Sequence, residues 1–167
     1  MDRETHDKGM AMRRQVLGDA YVDRALEGVD DFTRDFQRLV TQYGWGETWA
    51  DPTLTPRERS ILNLGMIAAL GKMQEFETHT RGALRNGLTP DEIRAVLTQI
   101  TAYCGMPVGV DCFRVARNVI NEAKTLEPAS HARRRSLPHA ARPRAVAVNR
   151  PLSRGCVLSG AAVLNAP

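Results

Sequence analysis

Two short segments, Thr55-Pro56-Arg57-Glu58 and Thr89-Pro90-Asp91-Glu92, constrain the fold more than anything else in the chain. Each offers Thr as N-cap, Pro at the first helical position and Glu at the third. The Thr side chain can accept from a free backbone N–H, and the Glu can reach back to the N–H of the cap. Both segments are helix starts. The first opens RERSILNLGMIAALG, where Ile61 to Leu70 carry no charge. That run predicts a central helix apolar on nearly every face, stopped by Gly71.

The next helix is predicted from about Met73 to Asn86, ending at Gly87. The second start opens IRAVLTQITAYC and breaks at Gly105-Met106-Pro107. A further helix follows Pro107, with Val108, Cys112, Val115, Val119 and Ala123 near helical spacing. Upstream, DDFTRDFQRLVTQYG predicts an amphipathic helix with Phe32, Phe36, Leu39 and Val40 on one apolar face. GMAMRRQVLG and AYVDRALEG predict two shorter helices. No segment alternates with the period of a strand, so the expected class is all-α.

The formal net charge of +4 belongs to one end of the chain. Residues 128–167 hold seven arginines and no acid, which leaves residues 1–127 net negative. Nucleic-acid binding is therefore not expected of the core. The domain reading is 1–127, followed by a basic extension, 128–167. That extension lacks a periodic apolar face and is expected to be disordered. No apolar run approaches the roughly 20 residues a membrane span needs, and MDRETHDKGMAMRR lacks the apolar core of a signal peptide. Cys104, Cys112 and Cys156 form neither CxxC nor a metal-type cluster. They read as reduced thiols in a cytoplasm.

The segment GKMQEFETHTRGAL is the first candidate for chemistry. Residues 1–127 contain two histidines, His6 and His79. His6 sits in a polar leader, so His79 is the imidazole placed for chemistry near neutral pH. On the helix wheel Phe76, Thr80, Ala83 and Leu84 form the inward stripe. His79 lies at its edge, with Glu75 one turn back. Spacing alone also fits an ordinary solvated i,i+4 pair.

From GMAMRRQVLGDAYVDRAL through YGWGETWADPTLTPRERSILNLGMIAALGKMQEFETHTRGALRNGLTPDEIRAVLTQITAYCGMPVG, about residues 8–125, the chain resembles the carboxymuconolactone decarboxylase family. The likeness rests on the RR-x-VLG entry, the WGETW block, the RxRS helix start, the E-apolar-x-x-H helix, the NG-x-T turn and the YCGxP break, in that order. It departs at ADPTL, where an RPGL-like turn is usual, and at Phe76, where Leu is usual. The wider superfamily includes alkylhydroperoxidase-D-type proteins with CxxC followed three residues later by His. On that pattern His79 takes the histidine position, while Lys72 and Glu75 stand where the cysteines would be.

The resemblance implies a compact all-α enzyme that needs no cofactor and forms a homo-oligomeric ring, trimer or hexamer. Its substrate would be a dicarboxylate lactone, 4-carboxymuconolactone, converted to 3-oxoadipate enol-lactone plus CO2 in protocatechuate catabolism. Loss of CO2 sends electrons into the lactone carbonyl, so the substrate carries its own electron sink. The protein must then stabilise an enolate oxygen, protonate carbon and hold the retained acetate arm. The resemblance puts Glu75 and His79 at the catalytic centre, with either as the proton donor. It makes Arg13, Arg14 and Arg59 candidates for the anion clamp. Trp45, Trp49 and Tyr103 are candidate pocket walls. A thiol peroxidase or disulfide reductase, or a noncatalytic helical oligomer, are the competing classes.

Overall fold

The computed structural model describes residues 2–135. Their regular structure is helical throughout: α1 (Arg3–Leu17), α2 (Asp19–Glu27), α3 (Arg34–Leu39), a π-helix (Val40–Trp49), α4 (Pro56–Ala69), α5 (Met73–Arg85), α6 (Pro90–Cys104) and α7 (Met106–Arg135). Helix α7 runs past position 127. The rest of the basic extension lies outside the described residues. Among the described residues no helix is long and apolar enough to cross a membrane.

Both Thr-Pro-x-Glu segments form complete capping boxes, at the starts of α4 and α6. An ion pair from Arg57 to Glu92 ties the two starts together. The Glu that caps α6 thus also holds it to α4. Gly71, Gly87 and Gly105 take positive φ (67°, 89° and 92°) at the breaks after α4, α5 and α6. Only glycine adopts that region without strain.

Two apolar clusters hold the helices together. The larger joins α4 to α7 through Leu64, Ala68, Phe76, Ala83, Ile93, Leu97, Ile100, Cys112 and Ala116. The smaller joins α1, α2 and the π-helix through Val16, Leu17, Val22, Trp45 and Trp49. Helix α5 links the two halves: Gly82 faces Val16 of α1 so closely that a Cβ there would come within 3.0 Å of the Val16 side chain.

The structure corrects three expectations. Helix α4 is not buried on nearly every face. Leu62, Met66 and Leu70 are about half exposed or more, because its outer side packs against nothing among the described residues. The predicted helix over DDFTRDFQRLVTQYG is two elements, and its proposed apolar face points outward. Phe32 is 93% exposed, and Phe36 and Leu39 are also exposed. Val40 alone of that set packs on the smaller cluster. The third difference is the π-helix itself. Its wider turn brings Thr41, Trp45 and Trp49 onto one buried face, with the Ala50 N–H donating to the Trp45 carbonyl five residues back at 2.9 Å. Such segments recur at functional sites.

Candidate active site

His79 projects from α5 toward α4 and the π-helix. Its Nδ1 lies 3.2 Å from the side-chain amide nitrogen of Asn63 on α4. Its ring is stacked with two indoles: Trp45 at 6.2 Å and 7° between planes, and Trp49 at 6.1 Å and 22°. The two indoles stack on each other at 5.1 Å. The sequence pattern of α5 explains the placement. Phe76, Thr80 and Ala83 are buried and fix the helix's rotation, which leaves position 79 at the edge of the core.

Burial holds the His79 pKa below the ordinary imidazole value of 6.5; the charge of Glu75 opposes this with a smaller effect. The ring is therefore neutral at physiological pH. Glu75 itself is exposed, and among the described residues the hydrogen-bond partner of His79 is Asn63, with none to Glu75. Sequence reasoning did not single out Asn63. A signal was available: it is the only side chain in the uncharged Ile61–Leu70 run able to form hydrogen bonds.

The three arginines fall in different settings. Arg14 is held by Asp19 at 3.2 Å and Asp23 at 2.7 Å, at the corner between α1 and α2. Arg59 donates to the backbone carbonyl of Asp51 at 2.9 Å and to its carboxylate at 3.1 Å. Asp51 belongs to the ADPTL turn that departs from the family-like pattern, so the departure supplies this arginine's counter-ion. Arg13 differs from both. It is 5% exposed, and its guanidinium donates to two neutral groups, Gln37 Oε1 at 3.1 Å and Thr41 Oγ1 at 3.2 Å. Its Nε is buried without a partner, as is that of Arg59, but unlike Arg59 it has no carboxylate among the described residues. Burial pulls its pKa down. A buried guanidinium with an unfilled donor calls for an anion. Arg13 and His79 both abut the π-helix, one through Thr41 and the other through the indoles.

Tyr103 stands apart. It is 85% exposed and lines an open apolar cavity of about 480 Å³ between α4 and α6, with Leu62, Met66, Val96 and Cys104. His79 does not line that cavity. Cys112 is buried, and desolvation pushes its thiol pKa up to about 11, so it holds no thiolate at neutral pH.

In the described residues, then, a helical fold sets a partly buried imidazole against two stacked indoles. The chain belongs to the carboxymuconolactone decarboxylase family, whose model matches residues 34–118. It is 38% identical over 122 residues to nitrosuccinic acid decarboxylase npaB of Metarhizium robertsii, covering 73% of this chain and 85% of that protein. It is 32% identical over 121 residues to 4-carboxymuconolactone decarboxylase of Acinetobacter baylyi, covering 72% of this chain and 90% of that one. A 4-carboxymuconolactone decarboxylase of Pseudomonas putida matches at 46% over 46 residues, 28% of this chain and 96% of that one. These relatives are decarboxylases, and decarboxylation is the reaction class the comparisons support.

Proposed function

We propose that the protein removes CO2 from a small dicarboxylic acid whose departing carboxylate stands next to an electron sink, with 4-carboxymuconolactone as the first candidate. The observation that carries this reading is His79, neutral and half-buried, held by Asn63 against Trp45 and Trp49. In the lactone, the electron pair of the C–CO2 bond moves through the ring double bond to the lactone carbonyl oxygen. A proton then adds to the carbon alpha to that carbonyl, giving 3-oxoadipate enol-lactone. An N–H of His79 stabilises the oxyanion or delivers the proton, and Glu75 is the second candidate for the acid. Arg13 receives the retained carboxylate, with Arg59 and Arg14 already engaged by acids of the chain. Trp45 and Trp49 supply the apolar surface that disfavours the departing carboxylate as an ion.

A nitro-substituted substrate is the second reading, favoured by the 38% identity to the nitrosuccinic acid enzyme. The demands on the protein are the same, because a nitro group also takes the electron pair onto oxygen and a second carboxylate is retained. The test is loss of the conjugated-lactone absorbance on addition of enzyme, with CO2 release from nitrosuccinate as the parallel arm. Catalysed consumption of one of them is expected; consumption of neither would overturn the reading. In the same assay Arg13→Met should raise KM by about tenfold or more, the scale of a lost charge-assisted hydrogen bond. Its melting temperature should hold, because the substitution removes an uncompensated buried charge. A dithiol-dependent peroxidase is the weaker alternative, since Cys112 is not ionised and no CxxC precedes His79.

We also propose self-association into a homo-oligomer, a trimer or hexamer. Its support is the apolar surface the described residues leave uncovered: Leu62, Met66 and Tyr103 lining the α4–α6 cavity, Leu70 and Met106 at helix ends, and Phe32, Phe36 and Leu39 on and before α3. Light scattering should give a mass several times that of one chain, and Met66→Glu should lower it. A monomeric wild type would refute this proposal.

A further inference from the structure

We infer that Asn63 is a positioning residue that fixes His79 as the Nε2–H tautomer, so that the imidazole meets the reacting group as a neutral hydrogen-bond donor. The use made of that donor rests on the decarboxylase reading above; the assignment of the tautomer does not.

The argument starts from what an amide nitrogen can do. The Asn63 Nδ2 carries only hydrogens and can only donate. It lies 3.2 Å from Nδ1 of His79, so Nδ1 is the acceptor and bears no proton. A neutral ring has one N–H, which must then be on Nε2. Nε2 has no hydrogen-bond partner among the described residues, yet it is not sealed from solvent. It is the ring nitrogen left open to a ligand.

The surroundings keep this arrangement from relaxing. Helices α4 and α5 are pinned together at a second point, where the Asn86 amide donates to Ser60 Oγ at 3.0 Å and to the Pro56 carbonyl at 3.3 Å. That clamp sets the register of the two helices and so the distance from position 63 to position 79. The indoles of Trp45 and Trp49 fix the plane of the ring. A carboxylate in place of Asn63 would do the opposite. It can only accept, so it would draw a proton to Nδ1 and leave Nε2 bare in the neutral ring. The difference between Asn and Asp at one position therefore decides which edge of the imidazole donates. In a reaction that builds charge on oxygen, a fixed donor needs no reorganisation when the charge appears.

The test uses the full chain labelled with 15N-histidine at pH 7.5, with long-range proton–nitrogen correlations of the ring. His79 is assigned by its absence in His79→Gln. The wild type should show an unprotonated Nδ1 and a protonated Nε2. Asn63→Asp should reverse the pattern, and with the lactone should lower kcat by about 10- to 100-fold, the range for groups that orient a reacting residue, with KM near the wild-type value. A wild-type ring protonated on Nδ1 would overturn the assignment even if the variant did not fold. Unchanged kcat in Asn63→Asp would overturn the use proposed for it. A protein that shows the expected tautomer but consumes neither the lactone nor nitrosuccinate would sink the substrate reading and leave Asn63's role standing.

Discussion

Replacing His79 by Gln is expected to lower kcat by about 10²- to 10⁴-fold, the usual contribution of a positioned acid–base or oxyanion-binding group. The fold should survive. His79 is at the edge of the core rather than inside it, and the helix is held by Phe76, Thr80 and Ala83. The same variant carries a second expectation, in stability against pH. Burial lowers the folded-state pKa of His79 below 6.5, so at acid pH the unfolded chain binds a proton that the folded chain resists. The stability of the wild type is therefore full above about pH 6.5 and declines as pH falls through the window between the unfolded and the folded value. His79→Gln lacks that step. Melting curves of the two proteins from pH 7.5 to 5 should show the wild type losing ground relative to the variant. A kcat within threefold of wild type would remove His79 from the mechanism. Parallel melting curves would show that burial does not perturb its proton.

How far the sequence reaches depends on whether the governing interaction is local. The capping boxes at Thr55 and Thr89 lie within four residues each, and both form as expected. The glycine breaks at 71, 87 and 105 are also local, and all three take positive φ. The α7 face through Val108, Cys112, Val115, Val119 and Ala123 follows from a single period; it packs as read, with Cys112 and Val119 fully buried. Where the outcome depends on what covers a face, the period is silent. Phe32, Phe36 and Leu39 share a side of the chain but face solvent, as do Leu62 and Met66 of α4. An apolar stripe states that something should bury it, not whether that partner is in the same chain.

The site divides in the same way. His79 and the two tryptophans were legible as candidates, and the structure brings the three rings together. Their meeting depends on a π-helix, for which the sequence carries no propensity signal. Helix α1 packs closely along it, backbone against backbone at Gly9 and Gly46. Asn63 and His79 are sixteen positions apart and meet only through the α4–α5 register. The arginines were indistinguishable as residue types. Their partners separate them: carboxylates hold Arg14 and Arg59, while Arg13 has only neutral acceptors. Residue type does not encode that distinction; it depends on which acids the adjoining turn and helix bring up, Asp51 for Arg59 and Asp19 and Asp23 for Arg14.

Gly9→Ala is expected to disrupt this architecture at its tightest point. In the interior of an ordinary helix the substitution would stabilise, by roughly 0.5–1 kcal/mol. Here a Cβ on Gly9 would lie 2.2 Å from the Thr41 carbonyl oxygen and 2.7 Å from the Gly46 nitrogen. The contact is reciprocal, since a Cβ on Gly46 would lie 2.3 Å from the Thr5 carbonyl oxygen. The opposing atoms are backbone, so no rotamer change can make room. Helix α1 must move off the π-helix. The Arg13–Thr41 hydrogen bond, one turn along α1 from Gly9, would move with it, as would the packing of Trp45 and Trp49 beneath Val16 and Val22. Overpacking of this kind costs about 1–3 kcal/mol or more, which opposes and exceeds the helical gain. The expected result is a lower melting temperature, a weakened near-ultraviolet signal from the stacked indoles and a loss of turnover. Gly44→Ala, in the same π-helix, is the control: a Cβ there meets nothing within 4 Å, and its melting temperature should stay within a degree or two of wild type. If Gly9→Ala melts at or above the wild-type temperature, the close backbone contact that positions the indoles against His79 does not exist.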